Sequence, residues 1–262
     1  MIRVGVGGWN FKPWRGAFYP KDVKRADELR YASRHLTTIE INGTFYRTQS
    51  PASFRKWRAE TPDGFMFSVK GHRAIGNSRK LADAADRLDW FFKSGVLELG
   101  DKLGPLLWQL APHKTYDKED VGAFLKLLPR KAGARRLMHV LEVRHESFLV
   151  PDFIALLRES NVAIGHAESD EYPEIADVTA DFVYARLQRS SERIKAGYSD
   201  SDLDRWAKRA KLWAAGGAPD DLPLIGRVKA AKKKREVFVY IIGGAKVRNP
   251  AAATALIERV KE

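Results

Sequence analysis

Cysteine is absent from the 262 residues. Its absence removes disulfides, thiolate metal centres and cysteine nucleophiles from consideration together. Long apolar runs are missing too, with no stretch approaching the ~20 residues of a membrane span. The opening Met-Ile-Arg-Val-Gly-Val-Gly-Gly reads as a short strand entering a glycine turn, without the apolar core of a signal peptide. A cytoplasmic protein with no membrane partner is therefore expected. No HExxH or comparably spaced ligand motif occurs, and the N-terminal glycines do not complete a GxGxxG fingerprint, so neither a metal nor any other cofactor is expected. Acids are in deficit: 46 Lys and Arg stand against 33 Asp and Glu, a formal charge of +13. Such a surplus suits anionic partners, a phosphorylated small molecule or nucleic acid, and serves general solubility equally well.

What is present is ample material for a core: 44% apolar residues, including 13 Phe, 8 Tyr and 7 Trp. Eight strand-like runs occupy residues 2–8, 36–42, 65–70, 106–110, 138–144, 163–166, 182–187 and 237–242. Helical periodicity fills most of the gaps, at 22–35, 50–61, 78–93, 118–128, 151–160, 200–215 and 250–262. Strands alternating with helices argue for a parallel α/β sheet, and eight such units at roughly 250 residues match a single (β/α)8 TIM-type barrel. A doubly wound open sheet is the competing architecture. No linker rich in Pro, Gly or Ser interrupts the pattern and no repeat is visible, so one domain over 1–262 is expected.

Two of the strands end on charge, Leu-Thr-Thr-Ile-Glu-Ile-Asn at 36–42 and Met-His-Val-Leu-Glu-Val-Arg-His at 138–145. Strand side chains alternate between faces, so Glu40 and Asn42 share one face, and so do Glu142 and Arg144. In a barrel the apolar faces (Ile39 and Ile41; Phe65, Phe67 and Val69; Leu141 and Val143) suit the helix layer. Glu40, Asn42, Ser68, Lys70, Gln109, Glu142, Arg144, Tyr184 and Arg186 are left for the lumen. All but Tyr184 fall near strand C-termini, where barrel enzymes place their chemistry. Buried charge is costly unless paired or put to use. The competing reading is a structural ion-pair plug.

At these residues the chain resembles the domain of unknown function 72 family, also called YecE-like. The resemblance rests on Gly-Gly-Trp-Asn and Gly-Ala-Phe-Tyr-Pro within 7–20, Glu-Ile-Asn-Gly-Thr-Phe-Tyr-Arg at 40–47, and Thr-Pro-Asp-Gly-Phe-Met-Phe-Ser-Val-Lys at 61–70. It continues through Leu-Gly-Pro-Leu-Leu-Trp-Gln-Leu at 103–110, Glu-Val-Arg-His at 142–145, Tyr-Ala-Arg-Leu at 184–187 and Tyr-Ser-Asp-Ser-Asp-Leu-Asp-Arg-Trp-Ala at 198–207. It implies a TIM-type barrel and no particular activity. The chain departs from the family where Gly76-Asn77 replaces Thr-His, where Leu187-Gln188-Arg189 replaces Leu-His-Gly, and where Gly243-Gly244-Ala245-Lys246 replaces an Asn-Asn-Asp type turn. Two histidines and a carboxylate are thereby missing from the barrel mouth.

Glu40 and Glu142 are the candidate catalytic pair, since two carboxylates in one pocket can divide acid and base roles. Strands two and five lie across the lumen, so direct contact is not expected and there is room for a substrate or metal between them; alternatively, each carboxylate pairs with a nearby cation, as Glu142 with Lys70 or Arg186. Lys70, Arg144 and Arg186 form a cationic set suited to phosphate or carboxylate. Gly243, Gly244 and Lys246 follow the last strand, where such barrels commonly bind phosphate. From the aromatic cluster Trp9, Phe11, Trp14, Phe18, Tyr19, Phe45 and Tyr46, Trp9 and Tyr46 are the ligand-facing candidates. Asn42, Gln109, His145 and Tyr184 complete the substrate-binding set. His145, His166 and Glu168 are of types that bind metals, but lack a spaced motif. The basic run 227–235 precedes the last strand and is expected as a solvated loop opposite the pocket. Hydrolysis of a phosphoester or nucleic-acid backbone is the favoured reading. A sugar-phosphate isomerase or lyase would use the same groups, and a non-catalytic nucleic-acid-binding protein is the third reading. Oligomeric state is not legible.

Overall fold

The computed structural model of the chain describes residues 1–226 and 231–261. Eight parallel strands close into a barrel: β1 (Ile2–Gly7), β2 (Thr38–Ile41), β3 (Met66–Lys70), β4 (Leu103–Gln109), β5 (His139–Glu142), β6 (Ala163–Glu168), β7 (Phe182–Leu187) and β8 (Glu236–Ile241). The seam is the pairing of β1 with β8, running from Ile2 beside Val237 to Val6 beside Ile241. Among the described residues, besides the one-turn helix Arg73–Gly76, seven longer helices pack outside: α1 (Glu28–His35), α2 (Pro51–Glu60), α3 (Ala85–Lys93), α4 (Lys118–Leu127), α5 (Pro151–Ser160), α6 (Asp200–Ala214) and α7 (Asn249–Lys261). The fold is a (β/α)8 TIM-type barrel, as expected, and not an open sheet. No helix among the described residues is long and apolar enough to cross a membrane.

Local chemistry sets the helix ends. Ser50 accepts from the Ser53 amide at 3.2 Å with Pro51 as the first helical residue. Asp117 and Ser199 cap α4 and α6 in the same way, satisfying amides the helix itself leaves unpaired. α5 stops at Asn161, which takes a left-handed φ of 49°, a conformation asparagine tolerates better than most residues.

Period-two alternation divides the buried residues into two cores. Val4, Val6, Ile39, Ile41, Phe67, Val69, Leu141 and Val143 belong to the layer between strands and helices. A second cluster fills the lumen: Leu107, Val140, Phe182 and Phe238 with Met66 and Met138 towards the N-terminal end, then Tyr184 and Tyr240. Polarity therefore rises along the lumen axis. Above the apolar plug the Tyr184 hydroxyl meets Ser68 at 2.9 Å and the Tyr240 hydroxyl meets Thr38 at 2.8 Å. Charge begins one level higher.

The gap without helical periodicity, between β6 and β7, holds no α-helix; residues 169–181 run irregularly, tied down by Asp177, whose carboxylate accepts from the Ile225 and Gly226 amides. One element was not expected. A two-residue antiparallel hairpin, Lys131–Ala132 with Arg135–Arg136, precedes β5. Its composition of Lys and Arg hides it from hydrophobic periodicity. Of the basic run at 227–235, residues 227–230 lie outside the described residues. Lys233 is bonded to Asp181 at the start of β7, and Arg235 is buried, so the described part sits at the N-terminal face, away from the strand C-termini.

Candidate functional site

The charged level of the lumen is built around Arg186. Its Nε donates to Glu40 Oε2 and its Nη2 to Glu40 Oε1, both at 3.1 Å, a bidentate fork. Its Nη1 donates to Glu142 Oε2 at 2.6 Å. Gln109 Nε2 donates to Glu142 Oε1 at 2.6 Å, and Tyr184 donates its hydroxyl to Glu40 Oε2 at 2.5 Å. All five side chains are buried. They come from β2, β4, β5 and β7, at heights set by strand register: Gln109 lies beside Glu142, and Arg186 beside Ala167 and Tyr240.

The same pairing sets the protonation states. Burial alone raises the pKa of Glu142, but Arg186, then Arg144 and Lys70, outweigh it and hold the carboxyl below its ordinary value. Burial alone lowers that of Arg186, and the Glu142 and Glu40 carboxylates reverse it and hold the guanidinium above its ordinary value. Tyr184 is pushed well above the ordinary phenol value by burial and then by Glu40, so it stays a donor.

These contacts revise three expectations. The space between Glu40 and Glu142 is taken by the Arg186 guanidinium, which a seven-atom side chain from β7 carries across the lumen. Arg186 is thereby removed from the anion-binding set, because every nitrogen it has faces a carboxylate. Glu142 is unsuited to the acid role: it is held ionised, and both oxygens already accept hydrogen bonds.

Above this level stand Lys70 and Arg144. Arg144 Nε donates to Glu142 Oε1 at 3.3 Å and its guanidinium lies 4.3 Å over the Tyr172 ring. Its Nη groups make no hydrogen bond among the described residues. Lys70, at the end of β3, rests its Nζ 4.0 Å above the Phe45 ring, and that Nζ makes no hydrogen bond or ion pair among the described residues. Burial, then Arg186, lowers its pKa to about 8 against the partial opposition of Glu40 and Glu142. Three cations against two carboxylates leave the lumen with a surplus positive charge next to an ammonium without a partner.

The other expected residues scatter. Tyr46 is exposed, its ring edge to face with Phe45 at 5.2 Å and its carbonyl 3.3 Å from His72 Nε2. His145 spends Nδ1 capping the turn Glu146–Phe148, 3.2 Å from the Ser147 amide. His166 and Glu168 lie on the outer face of β6. His166 packs against Trp206 and Trp213, is pushed down to about 4 by burial, and lies 3.4 Å from Glu174. Glu168 accepts from the Tyr198 hydroxyl at 2.6 Å and Trp206 Nε1 at 3.2 Å. The wall of β6 separates both from Glu40 and Glu142. His166 and Glu168 stood out by residue type, but the face they occupy did not, because Gly165 and Ala167 give no hydrophobic signal to mark it.

Gly243 and Gly244 both take positive φ, 80° and 50°. A β-carbon at 244 would come within 2.6–2.7 Å of Ser190 O and Gln188 O. Its glycine is thus required by close packing of the loop after β8 on the loop after β7. Lys246, Trp9 and Asn42 do meet, around a separate cleft beside the lumen between the loops after β1, β2 and β8.

Comparison with known proteins agrees with the barrel geometry. Over 184 residues the chain is 27% identical to the UPF0759 protein YunF of Bacillus subtilis (strain 168), a match covering 68% of this chain and 63% of that one. A DUF72 family protein from Thermotoga maritima MSB8 superposes with a TM-score of 0.74 at 19% identity, covering 100% of both chains. One from Enterococcus faecalis V583 gives a TM-score of 0.71 at 17% identity, covering 100% of this chain and 96% of that one. Residues 3–262 match the family described as Protein of unknown function DUF72, and the chain belongs to that family.

Proposed function

We propose that this protein binds a small phosphate-bearing substrate at the C-terminal mouth of the barrel and carries out proton transfer through Lys70, as an isomerase or lyase of the sugar-phosphate type. The observation that carries the reading is the Lys70 ammonium, which has no ion-pair partner among the described residues, over a lumen where Glu40, Glu142 and Arg186 are bonded to one another. With a pKa of about 8, about a tenth of Lys70 is the free amine at pH 7. That fraction is a competent base, and the ammonium left after proton abstraction is a competent acid. The free Nη groups of Arg144 would hold the substrate anion or the negative charge that develops as a carbon acid gives its proton to Nζ. Glu40, Glu142 and Arg186 then serve as the floor that fixes the field at Nζ.

Phosphoester or nucleic-acid backbone hydrolysis loses ground in this reading, because it relied on a carboxylate to activate water and both candidates are bonded to Arg186. The test is hydrogen exchange. Phosphorylated aldoses and ketoses are incubated in D2O with wild type, Lys70→Met and Arg144→Met, and deuterium at the carbon next to the carbonyl is read by NMR. Wild type incorporates deuterium into at least one member, Lys70→Met does not, and Arg144→Met requires higher substrate concentrations. Exchange that survives in Lys70→Met, or a panel in which no compound exchanges or raises the melting temperature of the wild type, refutes the proposal.

A further inference from the structure

The cleft beside the lumen encloses about 310 Å³, at the small end of ligand-pocket volumes, roughly 300–1,000 Å³. We infer that it is a separate binding site for a planar aromatic or heteroaromatic ring carrying a negatively charged group. Its walls combine three aromatic residues, Trp9, Phe11 and Trp57, with two cations, Arg47 and Lys246, and none of its lining residues is acidic. The contrast with the lumen carries the argument. There Arg186 and Arg144 are each paired with a carboxylate; here neither Arg47 nor Lys246 has an ion-pair partner among the described residues. Lys246 instead lays its Nζ 4.4 Å over the Phe11 ring, and burial lowers its pKa. Both cations are exposed at the mouth of the cleft, so their charge is open to an anionic ligand.

The aromatic part has comparable support. Trp9 and Trp57 meet edge to face at 5.0 Å between ring centroids and are only partly buried, so ring surface remains for an incoming π-system. Gly8, at φ 72°, has nothing within 4 Å of where a β-carbon would stand, which keeps that wall open. The frame is rigid. The buried Tyr19 hydroxyl donates to the Trp9 carbonyl, and the buried Trp14 indole donates to the Lys246 carbonyl at 2.8 Å, tying the loops after β1 and β8 together. Asn42 adds an amide at the rim nearest the lumen. Nothing in this cleft depends on Lys70, so the site stands apart from the reaction proposed above.

Isothermal titration calorimetry at constant ionic strength tests the site with adenosine monophosphate, benzoate, adenosine and inorganic phosphate as probes. The first two carry both ring and charge; their relative affinity separates a phosphate from a carboxylate preference. At least one of them binds the wild type, more than tenfold tighter than adenosine or phosphate. Arg47→Met and Lys246→Met each weaken it at least tenfold, while Lys70→Met leaves it unchanged. Arg47 is exposed, so its replacement reports on binding without disturbing the fold. The inference is overturned if neither ring-bearing anion binds up to millimolar concentration. It is equally overturned if binding survives both cleft substitutions but is lost in Lys70→Met, which would put the ring over the lumen.

Discussion

Replacing Lys70 with methionine should stabilise this protein at neutral pH, although the side chain is buried. Methionine keeps the apolar stem against Phe45 and removes a charge that has no partner. The lysine pKa falls from its ordinary 10.5 to about 8 on folding. At 1.36 kcal/mol per unit, that difference is worth on the order of 3 kcal/mol. The sign follows from proton counting. Between pH 8 and 10.5 the unfolded chain holds a proton at Lys70 that the folded protein has shed, so the lysine's contribution to stability improves across that window. Below pH 8 the penalty of burying the ammonium is present in full. Urea unfolding of wild type and Lys70→Met at pH 7, 9 and 10.5 reads this directly. Lys70→Met should be more stable by up to ~3 kcal/mol at pH 7, with the gap narrowing as pH rises. A variant that is less stable at pH 7, or a gap that does not change with pH, refutes the claim that Lys70 is held against its solvation preference. Loss of exchange activity together with a gain in stability would be the signature of a residue retained for chemistry.

Arg186→Met strands two buried carboxylates, and loss of one partner from a buried ion pair costs about 3–5 kcal/mol. For a chain of this size that is a fall in melting temperature of roughly 6–20 °C by calorimetry. Because the stranded acids take up protons, the deficit against wild type should shrink as pH is lowered, and Glu40→Gln with Glu142→Gln should restore part of it; a pH-independent deficit argues against the pairing. Gly244→Ala should destabilise by about 1–3 kcal/mol through its φ of 50° and its approach to Ser190 O, measured by urea denaturation, whereas alanine at exposed Gly133 has room and costs only its φ of 59°. His139 is pushed down to about 4 by burial while Nδ1 accepts from the Trp108 indole at 3.1 Å and Nε2 donates to Pro129 O at 2.8 Å. Stability should therefore fall as pH drops from 6.5 towards 4, and His139→Leu should flatten that slope by about 1.4 kcal/mol per pH unit.

The strands and the inward faces of β2, β3, β5 and β7 were legible because alternation is a local property: Ile39 and Ile41 mark one side, and Glu40 falls on the other. Lys70, Gln109 and Tyr184 followed from the same rule. That Glu142 could pair with Arg186 was legible as the alternative reading, and the pair is present; that the same guanidinium also forks onto Glu40 was not. Whether an arginine points at the mouth or spans the lumen depends on barrel diameter and on the small residues opposite it, and neither is a local property. The cleft was half legible. Trp9 and Lys246 flank strand ends and drew notice, but Trp57 sits on α2, where an indole reads as core, and Arg47 reads as one more surface cation. Glu168 was legible as a candidate by type but its bonding was not: its partners, Tyr198 and Trp206, come from beyond the next strand.

The bond between Glu40 and Arg186 spans 146 positions of chain, and that gives the molecule an order of assembly. At about 5–20 residues per second, Glu40 leaves the ribosome roughly 7–30 s before the arginine that neutralises it. Lys70 follows Glu40 by only 30 positions, so the first cation of the lumen is made early. Arrival of β7 delivers the arginine that bonds both carboxylates, and β8 then supplies the seam.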